Sequence, residues 1–160
     1  MALTYLLARD LSGGDQTVGM VAAALLAVVP HLGFVASLAF NDGMALLVST
    51  GVLLALARIC GAGGAATGAR HVQLLGLWCA LAAATRPMSL AFAVAAGVIG
   101  LAAVWWRRSA KVPWAAAWLA LPSVLLAGWF YALSVVRYGD PTGSSTLFEK
   151  FAREPSGSLW

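Results

Sequence analysis

Apolar residues in this chain come in long uncharged runs, separated by short polar or glycine-rich breaks. Residues 1–8 form a first, short run, followed by a polar loop of Arg9, Asp10, Ser12, Gly13, Gly14 and Asp15. Residues 18–40 then form an uncharged run of 23, and residues 43–57 one of 15 that ends at Arg58. Residues 72–85 make a run of 14, residues 87–106 one of 20, and residues 112–136 one of 25. A bilayer core of ~30 Å takes about 20 helical residues to cross. The runs therefore predict helices near 18–40, 43–59, 72–85, 87–108 and 113–137, with a short one at the N-terminus. Pro30 and Pro122 lie inside runs and are expected to kink them, because proline lacks the amide donor and its ring clashes with the preceding turn. The run at 72–85 is short for a span and reads as a broken or half-membrane segment.

The predicted architecture is all-α: a polytopic transmembrane helix bundle with about five membrane crossings and broken or kinked helices. Residues 1–137 form the transmembrane domain, N-terminally incomplete, and residues 138–160 an extracytoplasmic tail.

Composition narrows the class further. Apolar residues make up 61% and charged residues 10%, against ~45–50% and ~25% in soluble domains. Sixteen charges cannot cover the surface of a soluble fold of this size. A disordered chain is excluded too, since disorder needs low hydrophobicity and high charge. The net charge of +4 comes from basic residues at the ends of apolar runs, not from a basic patch, so nucleic-acid binding is excluded. Cys60 and Cys79 match no metal spacing and build no disulfide framework. The glycine-rich segment 60–69 lacks the strand and lysine context of a phosphate-binding loop.

Charge also sets an orientation. Alternating crossings gather Arg9, Arg58, Arg70, Arg107, Arg108 and Lys111 on one side. The other side holds Arg86, Arg137, Lys150 and Arg153, balanced by Asp42, Asp140, Glu149 and Glu154. The positive-inside rule makes the first side cytoplasmic.

Three polar clusters then converge on the outer side: Asn41-Asp42, Thr85-Arg86, and the tail from Tyr138. Ionisable groups at membrane depth are expensive and mark sites by default. Asp42 reads as a carboxylate facing an outer cavity, able to hold a sugar hydroxyl, a divalent metal or an arginine. Asn41 and Asp42 also suit the cap of a helix. Arg86 suits a lipid-linked phosphate, because its guanidinium fork donates paired hydrogen bonds and stays charged. An arginine that snorkels to head groups is the plainer reading. Tyr138-Gly139-Asp140-Pro141 is turn chemistry at a helix exit. His31, beside Pro30, reads as a packing residue. No nucleophile–base pair, metal-ligand spacing or cofactor motif is present, so no cofactor is implied and no catalytic residue is assigned.

The order of these segments resembles a family. A proline-bearing helix leads into Asn-Asp (PHLGFVASLAFNDGMALL), then a short helix ends in a basic residue and proline (LLGLWCALAAATRP). The last helix exits as GWFYALSVVRYGDPTG. Together, over residues 1–145, these resemble the multi-spanning core of bacterial GT-C glycosyltransferases. Protein mannosyltransferase-like and aminoarabinose-transferase-like enzymes belong there, as does a related group of uncharacterised bacterial membrane proteins. The resemblance implies a bacterial inner-membrane protein that takes a sugar from a polyprenyl-phosphate carrier and passes it to a cell-envelope acceptor on the outer face. It implies Arg86 near the carrier phosphate, Asp42 lining the outer cavity with Asn41, and Tyr138 and Asp140 at the turn beside the site. Such enzymes hold their usual catalytic carboxylate in the first external loop, which has no counterpart here, so the chain reads as a fragment or a gene with a misplaced start. A transporter fragment and a non-enzymatic membrane assembly subunit are the alternatives.

Overall fold

The computed structural model describes residues 1–30, 42–61, 69–85, 87–106 and 112–141. These are helical almost throughout, with no strand among the described residues. Helix α1 (Ala2–Leu11) and helix α2 (Gln16–Ala27) form a hairpin, with Gly19 of α2 against the Tyr5 ring of α1. Asp15 caps α2, its carboxylate accepting from the Thr17 amide at 2.7 Å and the Val18 amide at 3.4 Å. The polar break is shorter than the sequence predicts. Arg9 and Asp10 belong to the end of α1, leaving residues 12–15 as the turn.

The run at 18–40 is not one helix. α2 stops at Ala27, Val28 and Val29 leave the helix, and Pro30 is helical again. Proline disfavours the helical conformation in the residue before it, so the chain breaks ahead of Pro30 where a kink was expected. His31 and Asn41 lie outside the described residues.

The next helices match the predicted runs within a few residues: α3 (Asp42–Gly61), α4 (Ala69–Thr85), α5 (Pro87–Trp106) and α6 (Val112–Ser123). A π-helical turn, Val124–Gly128, joins α6 to α7 (Trp129–Tyr138) in one continuous rod. The widening follows directly on Pro122, which has no amide for the carbonyl of Trp118. Gly139, at φ +70°, then ends α7 with its amide on the Val135 carbonyl at 2.9 Å, a left-handed cap that favours glycine. α4 is a continuous helix beginning three residues earlier than predicted, so it carries Arg70 and His71.

Among the described residues, three helices are long and apolar enough to cross a membrane: Asp42–Gly61, Ser89–Trp106 and Val112–Tyr138. Many of their large side chains face outward. Val98 is 63% exposed, Leu125 67% and Val136 83%. In water such a surface would be an aggregation hazard; in lipid it is the expected one. The interior combines branched aliphatic side chains with alanines. α3 buries Val48, Val52, Ala55 and Ile59 along one stripe, and α4 answers with Val72, Leu75, Cys79 and Ala82. α5 adds Ala93 and Ala96, and α6 adds Ala115. Small residues let backbones approach, which is what drives helix association where lipid is as apolar as the protein.

α4 is the centre of the bundle, packed by α3, α5 and α6. Gly51 of α3 lies against the Trp78 ring of α4, and Gly100 of α5 against Leu75 of α4. These pairings, with the short connections, make α4 antiparallel to α3 and α5. Gly76 of α4 meets the Trp118 backbone of α6, and Tyr131 of α7 reaches Ala83 of α4. Both members of these pairs advance together, so α4 and the α6–α7 rod run the same way. The bundle thus has one end carrying Asp42, Thr85, Pro87 and Tyr138, and another carrying Arg58, Ala69, Trp106 and Val112.

Candidate functional site: two polar ends and an apolar groove

Asp42 stands in the first turn of α3, where its charge complements the helix dipole, and is half-buried. Tyr138 is the last residue of α7 and is 49% exposed. Asp140 follows the Gly139 cap and is half-buried. Helix direction brings Asp42, Tyr138 and Asp140 to the same end of the bundle. The α7 rod packs on the π-helical turn and, through Tyr131, on α4. Arg86 and Asn41 lie outside the described residues. Arg86 follows Thr85, which ends α4, and precedes Pro87, which opens α5.

An apolar groove of about 380 Å³ begins at this end. Its walls are Cys79 and Ala83 of α4, Leu90, Val94, Val98 and Leu101 of α5, and Ala116 and Ala120 of α6. From Leu90 to Leu101 the helical rise gives it a length of about 16 Å. Val94 and Val98 are 58% and 63% exposed, so it opens sideways to the surroundings of the bundle. Ala83 sits in the last turn of α4 and Leu90 in the first turn of α5, which brings the groove to within one turn of the junction between those helices.

The opposite end holds a polar cluster that the sequence reading missed. Arg58 of α3 donates through Nε to Oδ2 of Asp10 at 2.7 Å. Arg9 donates through Nε and a terminal nitrogen to Oδ1 of the same carboxylate, at 3.3 and 3.0 Å. Arg9 also lies over the Tyr5 ring, 5.8 Å from its centroid. Burial alone pushes the Asp10 carboxyl up, but the bonds and charges of Arg58 and Arg9 together outweigh it and hold the group below its ordinary value. The Asp10 bond pushes the Arg9 guanidinium up. His71 of α4 lies beside the cluster, and its Nδ1 is buried without a hydrogen-bond partner among the described residues. Arg9, Asp10 and Arg58 each follow an apolar run, so alternation assigns them to one side. Their convergence needed the α1–α3 contact, which no run length reveals.

Among the described residues no group of three His, Cys, Asp or Glu side chains converges on a metal site. No protein family, curated protein or solved structure matches the chain.

Proposed function

We propose that this chain is part of an integral membrane glycosyltransferase of the GT-C type. It takes a sugar from a polyprenyl-phosphate carrier and transfers it to a cell-envelope acceptor on the outer face of a bacterial inner membrane. In this reading α4 crosses the membrane with α3, α5 and the α6–α7 rod, and the segment from α2 onward completes about five crossings. The Asp42 end is extracytoplasmic, and the end carrying Arg9, Arg58 and Arg70 faces the cytoplasm.

The apolar groove carries the reading. A polyprenyl chain is a long, unbranched-in-outline hydrocarbon that needs a slot open to lipid, and a phosphate at the top of that slot needs a fixed cation. Arg86, at the junction of the two helices that wall the groove's upper end, is that cation. Its planar fork suits two phosphate oxygens at once. Transfer is a displacement at the anomeric carbon. The acceptor oxygen forms a bond to that carbon, the bond to the phosphate oxygen breaks, and the phosphate leaves with the electron pair. Arg86 stabilises the charge gathering on the phosphate, and a general base takes the acceptor proton. Asn41, Asp42, Tyr138 and Asp140 line the approach of the sugar, with no catalytic role assigned to any of them.

Equilibrium binding of a labelled polyprenyl phosphate to the reconstituted full chain tests this. A charge-assisted hydrogen bond contributes ~1.5–3 kcal/mol, so Arg86→Ala should weaken binding about tenfold or more. Arg86→Lys should recover part of the loss, because the charge returns without the fork. Unchanged binding in Arg86→Ala would refute the assignment.

A further inference from the structure

The polar cluster at the Arg58 end is a hollow as well as an ion-pair network. It has a volume of about 640 Å³ and is lined by Arg9, Asp10, Gln16, Arg58 and His71. Two guanidinium groups face one carboxylate, so the hollow carries a net positive charge. Arg58 bonds Asp10 through Nε alone, leaving its terminal nitrogens without partners among the described residues. His71 also lines the hollow, and its buried Nδ1 has no hydrogen-bond partner among the described residues.

A second hollow adjoins the first. It is apolar, about 300 Å³, and lined by Leu7 and Leu11 of α1 and Leu53 and Leu56 of α3. Both hollows lie between α1 and α3 and share Ala57. A cationic pocket beside an apolar slot, at the last turn of a helix long enough to span, is complementary to one kind of molecule. It has an anionic phosphate head and a hydrocarbon chain, and it lies at the boundary between hydrocarbon and head groups.

We propose that the α1–α3 junction binds an anionic phospholipid, with its phosphate between Arg58, Arg9 and His71 and an acyl chain along Leu7, Leu11, Leu53 and Leu56. Asp10 pre-orients the two arginines in the empty site and competes with the phosphate for them. Arg58 then plays the part of a head-group anchor, and the lipid joins the α1–α2 hairpin to the bundle. This site is at the opposite end from Asp42 and does not depend on the glycosyltransferase reading.

Native mass spectrometry of the full chain, titrated with phosphatidylglycerol or phosphatidylcholine of the same acyl composition, tests the proposal. The wild type should bind phosphatidylglycerol about tenfold more tightly, equivalent to ~1.4 kcal/mol. Arg58→Gln should lower that affinity at least about threefold and leave phosphatidylcholine unchanged. Asp10→Asn should hold or raise affinity for phosphatidylglycerol, because it removes the competing carboxylate. A purely structural ion pair predicts the contrary: both variants would loosen the junction alike and lower binding together. If Arg58→Gln does not fold, the direction of the Asp10→Asn change decides. Equal binding of the two lipids, or a fall in Asp10→Asn, would overturn the proposal. Displacement of the lipid by millimolar inorganic phosphate would also overturn it, by showing a site for the free anion.

Discussion

The Tyr131 hydroxyl donates to the Ala83 carbonyl at 2.9 Å, and that carbonyl is one that its own helix leaves unsatisfied. Ala83 stands in the last turn of α4, where carbonyls have no intrahelical donor. The residue four positions on is Pro87, which has no amide to offer. Thr85 attends to the neighbouring carbonyl in the same way, its Oγ1 donating to Ala82 at 2.8 Å. Trp118, four residues before Pro122, presents the other proline-freed carbonyl of the bundle core, and Gly76 of α4 is the residue that lies against it. Each of these two prolines thus exposes a backbone acceptor at a point where another helix must come close.

Tyr131→Phe should therefore destabilise the protein by about 1 kcal/mol, the scale of an interhelical hydrogen bond in a membrane. The loss should shrink in a Pro87→Ala background, where an amide is restored. Reversible unfolding in mixed micelles, run as a double-mutant cycle, reads the coupling. Equal effects of Tyr131→Phe in both backgrounds would show that the freed carbonyl is not what the hydroxyl serves.

Gly76→Ala should cost more, about 1–3 kcal/mol, the range for forced overpacking. A Cβ at that position meets the Trp118 backbone, which cannot turn aside as a side chain can. Gly97→Ala is the control, since a Cβ there meets nothing within 4 Å. It should be neutral or stabilise by up to ~1 kcal/mol through helix propensity. Comparable losses in the two variants would count against close packing of α4 on α6.

The helices were legible in the sequence wherever an uncharged run met a charged or aromatic stop. The run 43–59 became Asp42–Gly61, and 113–137 became the rod Val112–Tyr138. Run length fails where a break carries no charge. Val28 and Val29 are as apolar as their neighbours, so only the backbone demand of Pro30 ends α2 at Ala27. The candidate site was legible in part. Alternation of crossings puts Asp42 and Tyr138 at one end, but which helices pack side by side there cannot be read from run lengths. The Asp10–Arg58 bond joins residues 48 apart, and nothing in their local sequence distinguishes them from two solvated loop charges.

Acid should act on that bond in a defined direction. Asp10 is held below its ordinary value by the two arginines. The stabilisation it gives is present above the ordinary carboxylate value, ~3.9, and is lost as pH falls through the lowered folded value. The wild type should exceed Asp10→Asn by about 0.5–1 kcal/mol near neutrality, and the gap should close only in strong acid. A gap that vanished already near pH 5 would contradict the pairing.

The orientation is open to impermeant thiol labelling in a background with Cys60 and Cys79 replaced by alanine. Ser12 and Pro141 are both exposed and lie at opposite ends of the bundle. In intact cells Pro141→Cys should label and Ser12→Cys should not, with the reverse in inverted vesicles. Labelling of Ser12→Cys from outside would invert the topology and remove the outer site.

The central claim, a carrier whose hydrocarbon chain lies in the groove between α4, α5 and α6, is tested most directly by photo-crosslinking. A polyprenyl phosphate with a diazirine on its chain would be reconstituted with the full chain, irradiated, and its adducts mapped by mass spectrometry. The adducts should concentrate on the groove residues Leu90, Val94, Val98 and Leu101, and excess unlabelled polyprenyl phosphate should suppress them. Adducts spread evenly over outward apolar positions such as Leu25, Leu125 and Val136, with no suppression by competitor, would contradict the claim.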